Sequence, residues 1–264
     1  MTNSKKNKLR ELFISIITIL IGFFFLTPAM WAQEGVPYIS NFQLPPGLNN
    51  QNISMAQDDQ GVILFANRQG ILSYDGYEWE FMEPKIKPHS IGKDPVSNSI
   101  FVGLENSFGY LYRNELGSYK YIPISDPDLD YGVIEKIVFK ESGIYFYSSF
   151  SLTKINRGQM RILETIWAKP SNPYAGIFFY QESLFVNILG KGLHVLTNEN
   201  LTPVEDGSSF DNVSIIFYMD YDNDRVLLGT DNSFLYLFNG SEFSDFILKD
   251  ENYLLNAVVT DGIN

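Results

Sequence analysis

The stretch ISMAQDDQGVILFANRQGILSYDGYEWEFM (residues 53–82) reads as four short strands joined by three turns. ISMAQD (53–58) is a first strand that closes on Asp58-Asp59-Gln60-Gly61. GVILFAN (61–67) is a second strand whose Val62, Ile63, Leu64 and Phe65 are apolar without alternation, which means that both of its faces are covered. Arg68, Gln69 and Gly70 turn the chain into ILSY (71–74). Asp75-Gly76 then signals a two-residue hairpin, because both residues tolerate positive φ. YEWEF (77–81) alternates Tyr77, Trp79 and Phe81 against Glu78 and Glu80, the pattern of a half-exposed outer strand.

The same unit recurs. Its third strand reappears as GILSYDG, GYLYRN, SLTKIN, GLHVLTN and SFLYLFNG, from Gly70, Gly109, Ser151, Gly192 and Ser233, so successive starts are 39, 42, 41 and 41 residues apart. Second strands recur as SIFVGLE (99–105), GIYFYSS (143–149), SLFVNIL (183–189) and RVLLGTD (225–231). First strands recur as IEKIVFK (134–140), GIFFYQ (176–181) and SIIFYMD (214–220). A four-stranded unit repeating every ~40–45 residues marks a blade of a β-propeller. The expectation is therefore an all-β propeller of four-stranded antiparallel blades at roughly 50–84, 89–125, 133–166, 175–206 and 213–249, with a sixth starting at LLNAVVTDG and stopping at 264. A β-sandwich with coincidental spacing is the competing architecture. Five units and a stub would not close a ring, so the chain is expected to be the front of a larger propeller, with VPYISNFQL (36–44) a candidate closing strand.

Bulk properties narrow the partners. The net charge is −12; residues 1–32 carry four Lys/Arg and one Glu, leaving −15 on residues 33–264. That acidity argues against nucleic acid, which needs a basic footprint, and against anionic lipid. With no cysteine, disulfides and thiolate chemistry are excluded. Lys5, Lys6, Lys8 and Arg10 precede an uncharged apolar run from Leu12 to Leu26 and the small-residue exit Ala29-Met30-Trp31-Ala32. This describes a secretory signal peptide over residues 1–32, cut after Ala32 or Ala29, or else retained as an anchor. Residues 33–264 would then be an exported propeller domain.

Asn52 to Gly76 resembles the two-component regulator propeller repeat. Gln57-Asp58 with Gly61, Asn67 with Gly70, and Tyr74-Asp75-Gly76 follow that repeat's turn pattern in order, and Phe65 stands near its usual Trp. The other four units lack the Gln-Asp-x-x-Gly turn. The resemblance implies the periplasmic sensor region of a Bacteroidetes-type receptor in the inner membrane. Further blades, a triple-tyrosine module, a membrane tether that supports a homodimer, and a histidine-kinase or DNA-binding output would follow it. It also implies a small-molecule or oligosaccharide ligand.

Catalytic signals are sparse, so the chain itself is read as no enzyme and no cofactor is expected; a secreted propeller lyase or glycosidase, or an adhesive propeller, are the alternatives. The two histidines read as a solvent-facing loop residue (His89) and a strand residue (His194). Asp126, Asp128 and Asp130, and Asp220, Asp222 and Asp224, alternate as Ca²⁺ loops do, but neither run continues with the required Gly and Glu, so no metal is expected. Ligand contacts are instead expected at the turns between second and third strands, near the axis: Arg68, Glu105, Asn106, Lys191, Asp231 and Asn232. Arg68 and Lys191 would meet an anionic or hydroxyl-rich ligand.

Overall fold

The computed structural model describes residues 13, 14, 16, 17, 44–82 and 86–247. Residues 13, 14, 16 and 17 are helical; the rest of the leader, the segment 36–43 and the sixth-unit stub at 254–264 lie outside the described residues. Among the described residues no helix is long and apolar enough to cross a membrane.

Among the described residues, twenty strands form five sheets, each a four-stranded antiparallel meander in chain order. Blade 1 holds β1 (Asn52–Gln57), β2 (Ile63–Asn67), β3 (Gly70–Tyr74) and β4 (Trp79–Phe81). Blade 2 holds β5 (Ser90–Lys93), β6 (Ile100–Gly103), β7 (Phe108–Arg113) and β8 (Tyr119–Pro123). Blade 3 holds β9 (Lys136–Lys140), β10 (Gly143–Tyr147), β11 (Ser151–Asn156) and β12 (Arg161–Trp167). Blade 4 holds β13 (Tyr174–Tyr180), β14 (Ser183–Ile188), β15 (Gly192–Thr197) and β16 (Asn200–Pro203). Blade 5 holds β17 (Ile215–Asp222), β18 (Arg225–Thr230), β19 (Leu235–Phe238) and β20 (Phe243–Asp245). A 3₁₀ turn over Gly207–Phe210 links blades 4 and 5.

Why the second strands carry unbroken apolar runs is visible in the packing. Side chains alternate across a strand, and here each side meets a different neighbour. Ile144 and Phe146 of β10 join Phe101 and Phe108 of blade 2, whereas Tyr145 and Tyr147 of the same strand join Ile177 and Phe179 of blade 4. In β14, Leu184 and Val186 face blade 3 while Phe185 faces Val226, Leu228 and Phe238 of blade 5. Ala56, Leu64 and Ile71 of blade 1 meet Ile91, Val102 and Leu111 of blade 2 in the same way. Four cores therefore sit in series, one at each joint between successive blades. A sandwich has a single core between two layers. Ring pairs reinforce the joints: Phe108–Phe146 stack at 4.3 Å and Phe185–Phe238 meet edge-on at 5.1 Å. Each fully buried Phe, Leu, Ile or Val contributes roughly 1.5–3 kcal/mol.

Polar contacts pin the same joints. Arg113 of β7 pairs with Asp58 in the first turn of blade 1, and Arg157, just past β11, pairs with Asp94 in the first turn of blade 2. The third joint has Lys140 Nζ donating to the Gln181 carbonyl, and the fourth has the Tyr180 hydroxyl donating to the Asp224 carbonyl.

Three local expectations are corrected. The Asp75-Gly76 turn is a four-residue loop, since Tyr74 pairs with Trp79. Asp75 causes this, because its Oδ1 accepts from both the Tyr77 and the Glu78 amides and so holds those residues out of the ladder. Tyr77 is consequently 91% exposed rather than part of the outer strand. His89 is half-buried, its amide donating to the Gly103 carbonyl at 2.8 Å as the chain enters β5.

Candidate binding site in the axial channel

The first strands of all five blades line one cavity of about 910 Å³: Ser54 of β1, Ile91 of β5, Val138 of β9, Ala175 of β13 and Ile216 of β17 all border it. Five first strands around one void are the axis of a propeller. The strands approach closely there. Ser54 Oγ donates to the Ile91 carbonyl at 2.9 Å and Ser90 Oγ donates to the Ile134 carbonyl at 2.8 Å, each across a joint. A Cβ on Gly176 would lie 2.3 Å from the Ile215 carbonyl oxygen.

Three of these strands carry bulges at their starts: β1 between Asn52 and Ser54, β13 between Tyr174 and Ile177, and β17 between Ile215 and Phe217. A bulge leaves a residue unpaired in the ladder and re-aims the backbone. Ile216 lies in one of them, and its carbonyl accepts a hydrogen bond from Lys136 Nζ, so a blade 3 side chain reaches blade 5.

The cavity is polar at one end and apolar deeper in. Ser90, Glu135, Lys136, Tyr147, Ser149, Tyr174 and Ser214 gather where the first strands begin, on the face that carries the turns between second and third strands. Ile91, Val138, Phe139 and Phe217 line the interior. Among the mouth groups, the Glu135 carboxylate and the Ser149, Ser214 and Tyr174 hydroxyls accept or donate no hydrogen bond within the described residues.

Electrostatics sharpen this picture. Glu135 is exposed where it borders the channel, and the neighbouring protein takes part of its carboxylate out of water. Desolvation raises its pKa above the ordinary value, opposed by the positive charges of Lys136 and His89. Burial, and then the Glu135 charge, push the Tyr147 phenol far above its usual range, and burial lifts Tyr174 to about 12. An accessible carboxylate with a perturbed pKa in a concave site is a recurrent mark of function. The mouth can thus offer a fixed negative charge and three hydroxyls to a solute, with aliphatic and aromatic contacts beneath.

The six turn residues expected from sequence are all exposed on this same face, and none of them lines the cavity. Asp231 comes nearest, because its Oδ1 accepts from the amide of Ser214, a lining residue, at 3.0 Å. Asn106 exchanges two hydrogen bonds with Gly132: its Oδ1 accepts at 2.9 Å and its amide donates at 2.8 Å. Glu105 bridges to Val133. Asn232 Oδ1 accepts from the Thr230 hydroxyl at 2.6 Å. Arg68 and Lys191 are held through their amides, to the Gln51 and Ile188 carbonyls. The acidic runs also act locally. Asp126 accepts from the Asp128 amide, Asp130 from the Gly132 amide, and Asp222 pairs with Arg225. Among the described residues no three His, Asp or Glu side chains converge as metal ligands.

Glu135 and Lys136 were readable in IEKIVFK only as strand residues. Nothing local marks a residue as channel-facing; that depends on which strand of the blade is innermost.

No family model and no curated protein matches the chain. Solved structures do. The extracellular domain of the putative hybrid two-component system BT4673 from B. thetaiotaomicron is similar with TM-score 0.56 and 17% identity, over 78% of this chain and 28% of that one. The corresponding domain of BT3049 from the same organism gives 0.55 and 18%, over 74% and 30%. YCF48 bound to D1 peptide gives 0.56 and 14%, over 74% and 66%. The chain spans under a third of the two extracellular domains and about two thirds of YCF48. At these identities the likeness establishes the architecture: the chain is a β-propeller, similar in fold to the extracellular domains of two-component systems.

Proposed function

We propose that this chain is the ligand-binding propeller of an exported bacterial signal-transduction receptor, in which a solute enters the mouth of the axial channel. The observation that carries the reading is the cavity itself, bordered by the first strands of all five blades and ringed at one end by Glu135, Ser149, Tyr174 and Ser214 without partners among the described residues. Largely preformed concave sites with a few convergent polar groups are where small ligands bind. The likeness to extracellular domains of two-component systems supports the same reading, as does the basic-then-apolar leader. The ligand is a small molecule or short oligosaccharide, and binding alters blade packing that a membrane-tethered, dimeric receptor transmits to a kinase or DNA-binding output. Catalysis is not required of the propeller.

The test is a thermal-shift screen of small solutes on the chain, repeated on Ser149→Trp and Ser214→Trp, which fill the mouth from blades 3 and 5. A saturating ligand at about 100 times its Kd adds about 2.7 kcal/mol of stability. The shift should vanish in both variants. A ligand whose shift survives both substitutions binds elsewhere and removes the axial mouth from the account.

A further inference from the structure

Among the described residues two charged side chains line the channel, and they are in different situations. The Lys136 ammonium is committed to the Ile216 carbonyl across the channel. The Glu135 carboxylate receives no hydrogen bond from the described residues and is compensated through space, by Lys136, which follows it at the start of β9, and by His89 from the segment before β5. Tyr147 of β10 and Tyr174 of β13 face the same mouth with neutral phenols. A carboxylate drawn partly out of water without a donor is a standing cost, and a ligand that brings a donor relieves it. A charge-assisted bond to a cationic donor is about twice as strong as a neutral one. An anion would meet Glu135 repulsion and would have to detach Lys136 from Ile216. The surrounding chain is acidic, which raises the local concentration of cations.

Resting on the receptor reading, we infer that the axial mouth selects a ligand bearing a cationic nitrogen, which Glu135 engages while the free hydroxyls of Ser149, Tyr174 and Ser214 hold its neutral polar groups.

The experiment is calorimetric titration of the chain at neutral pH with three probes of one length: 1,5-diaminopentane, pentane-1,5-diol and glutarate. The diamine should bind, and the diol and glutarate should bind at least tenfold more weakly. Glu135→Gln, an isosteric change at a solvent-reached position, should weaken the diamine at least tenfold. Tyr174→Phe should weaken it several-fold, and Glu80→Gln on the outer strand of blade 1 should leave it unchanged. No heat with the diamine, equal binding of glutarate, or unaltered affinity in Glu135→Gln overturns the inference. If the diamine fails while another solute gives a shift that Ser149→Trp abolishes, only the cationic selectivity falls. If no solute gives such a shift, the receptor reading falls with it.

Discussion

Asp94 and Arg157, on successive blades, form a two-pronged ion pair: Nε donates to Oδ2 at 2.6 Å and Nη2 donates to Oδ1 at 3.1 Å. Asp94 is fully buried, and Ser97 donates to it from both its amide and its hydroxyl. The Asp58–Arg113 pair occupies the equivalent position one joint earlier, with Tyr119 as the additional donor. In both, the Asp follows the first strand of one blade and the Arg ends or directly follows the third strand of the next. The repeat thus locks neighbours through its turns as well as through its cores.

Removing one partner of a buried pair strands the other, which typically costs about 3–5 kcal/mol. Arg157→Ala should therefore lower stability by about 3 kcal/mol, the remaining Ser97 bonds keeping it near the lower end. Arg113→Ala, whose pair is more exposed, should cost less. Urea unfolding midpoints of the two variants check the order.

The same pair sets an acid dependence. Burial works to raise the Asp94 pKa, but the bonds from Arg157 and Ser97 outweigh it and hold the value below 3.8. A carboxyl depressed in the folded state stabilises above its unfolded pKa, and that stability is lost as pH falls through the folded value. Stability should thus decline below about pH 4, and the decline should be shallower in Arg157→Ala. Unfolding free energies measured from pH 5 down to pH 2 test this.

Glu135 carries the opposite sign. Its folded pKa lies above the ordinary 4.5, so the folded chain holds that proton more tightly than the unfolded chain does. Stability from this group is present at low pH and lost as pH rises through 4.5 to the folded value. Glu135→Gln should accordingly be more stable than the parent at pH 7 and equal to it at pH 3. A variant less stable than the parent at pH 7 would contradict the account of a desolvated carboxylate kept for binding.

Gly176 sits at φ 127° in the β13 bulge, and a Cβ there would strike the Ile215 carbonyl. Gly176→Ala combines backbone strain with an overpacked joint and should cost about 3 kcal/mol. Phe178→Ala, opening the blade 4–5 core at a fully buried position, should cost about 3–5 kcal/mol. Tyr77→Ala, at an exposed position, should stay within about 0.5 kcal/mol.

Much of the architecture was legible because one physical cause repeats. Continuous apolarity in VILF, IYFY and LFV records strands packed on both sides, and the period records the blade. What escaped reading depends on tertiary placement. SIGK of β5 is too short and too polar to announce a strand, yet Ser90 and Ile91 are buried by the neighbouring blades. Asp58 and Asp94 look like ordinary turn residues until the next blade supplies an arginine 55 or 63 positions later. The face for the ligand was inferred from the turns, whereas the cavity is lined by residues one strand further in. Asn106 and Asp231, expected as ligand contacts in these turns, accept instead from the Gly132 and Ser214 amides.

The claim on which all of this depends is that five sheets stand radially around the channel, and spin-label distances measure it directly. The cysteine-free chain accepts label pairs at Ser54, Val138 and Ser214, on or beside the first strands of blades 1, 3 and 5, and at Glu80, Leu163 and Ser244 on the fourth strands of the same blades. Every first-strand pair should give a shorter distance than the fourth-strand pair from the same two blades. First-strand labels that separate as widely as the fourth-strand labels, or that fall into two opposed layers, would contradict it.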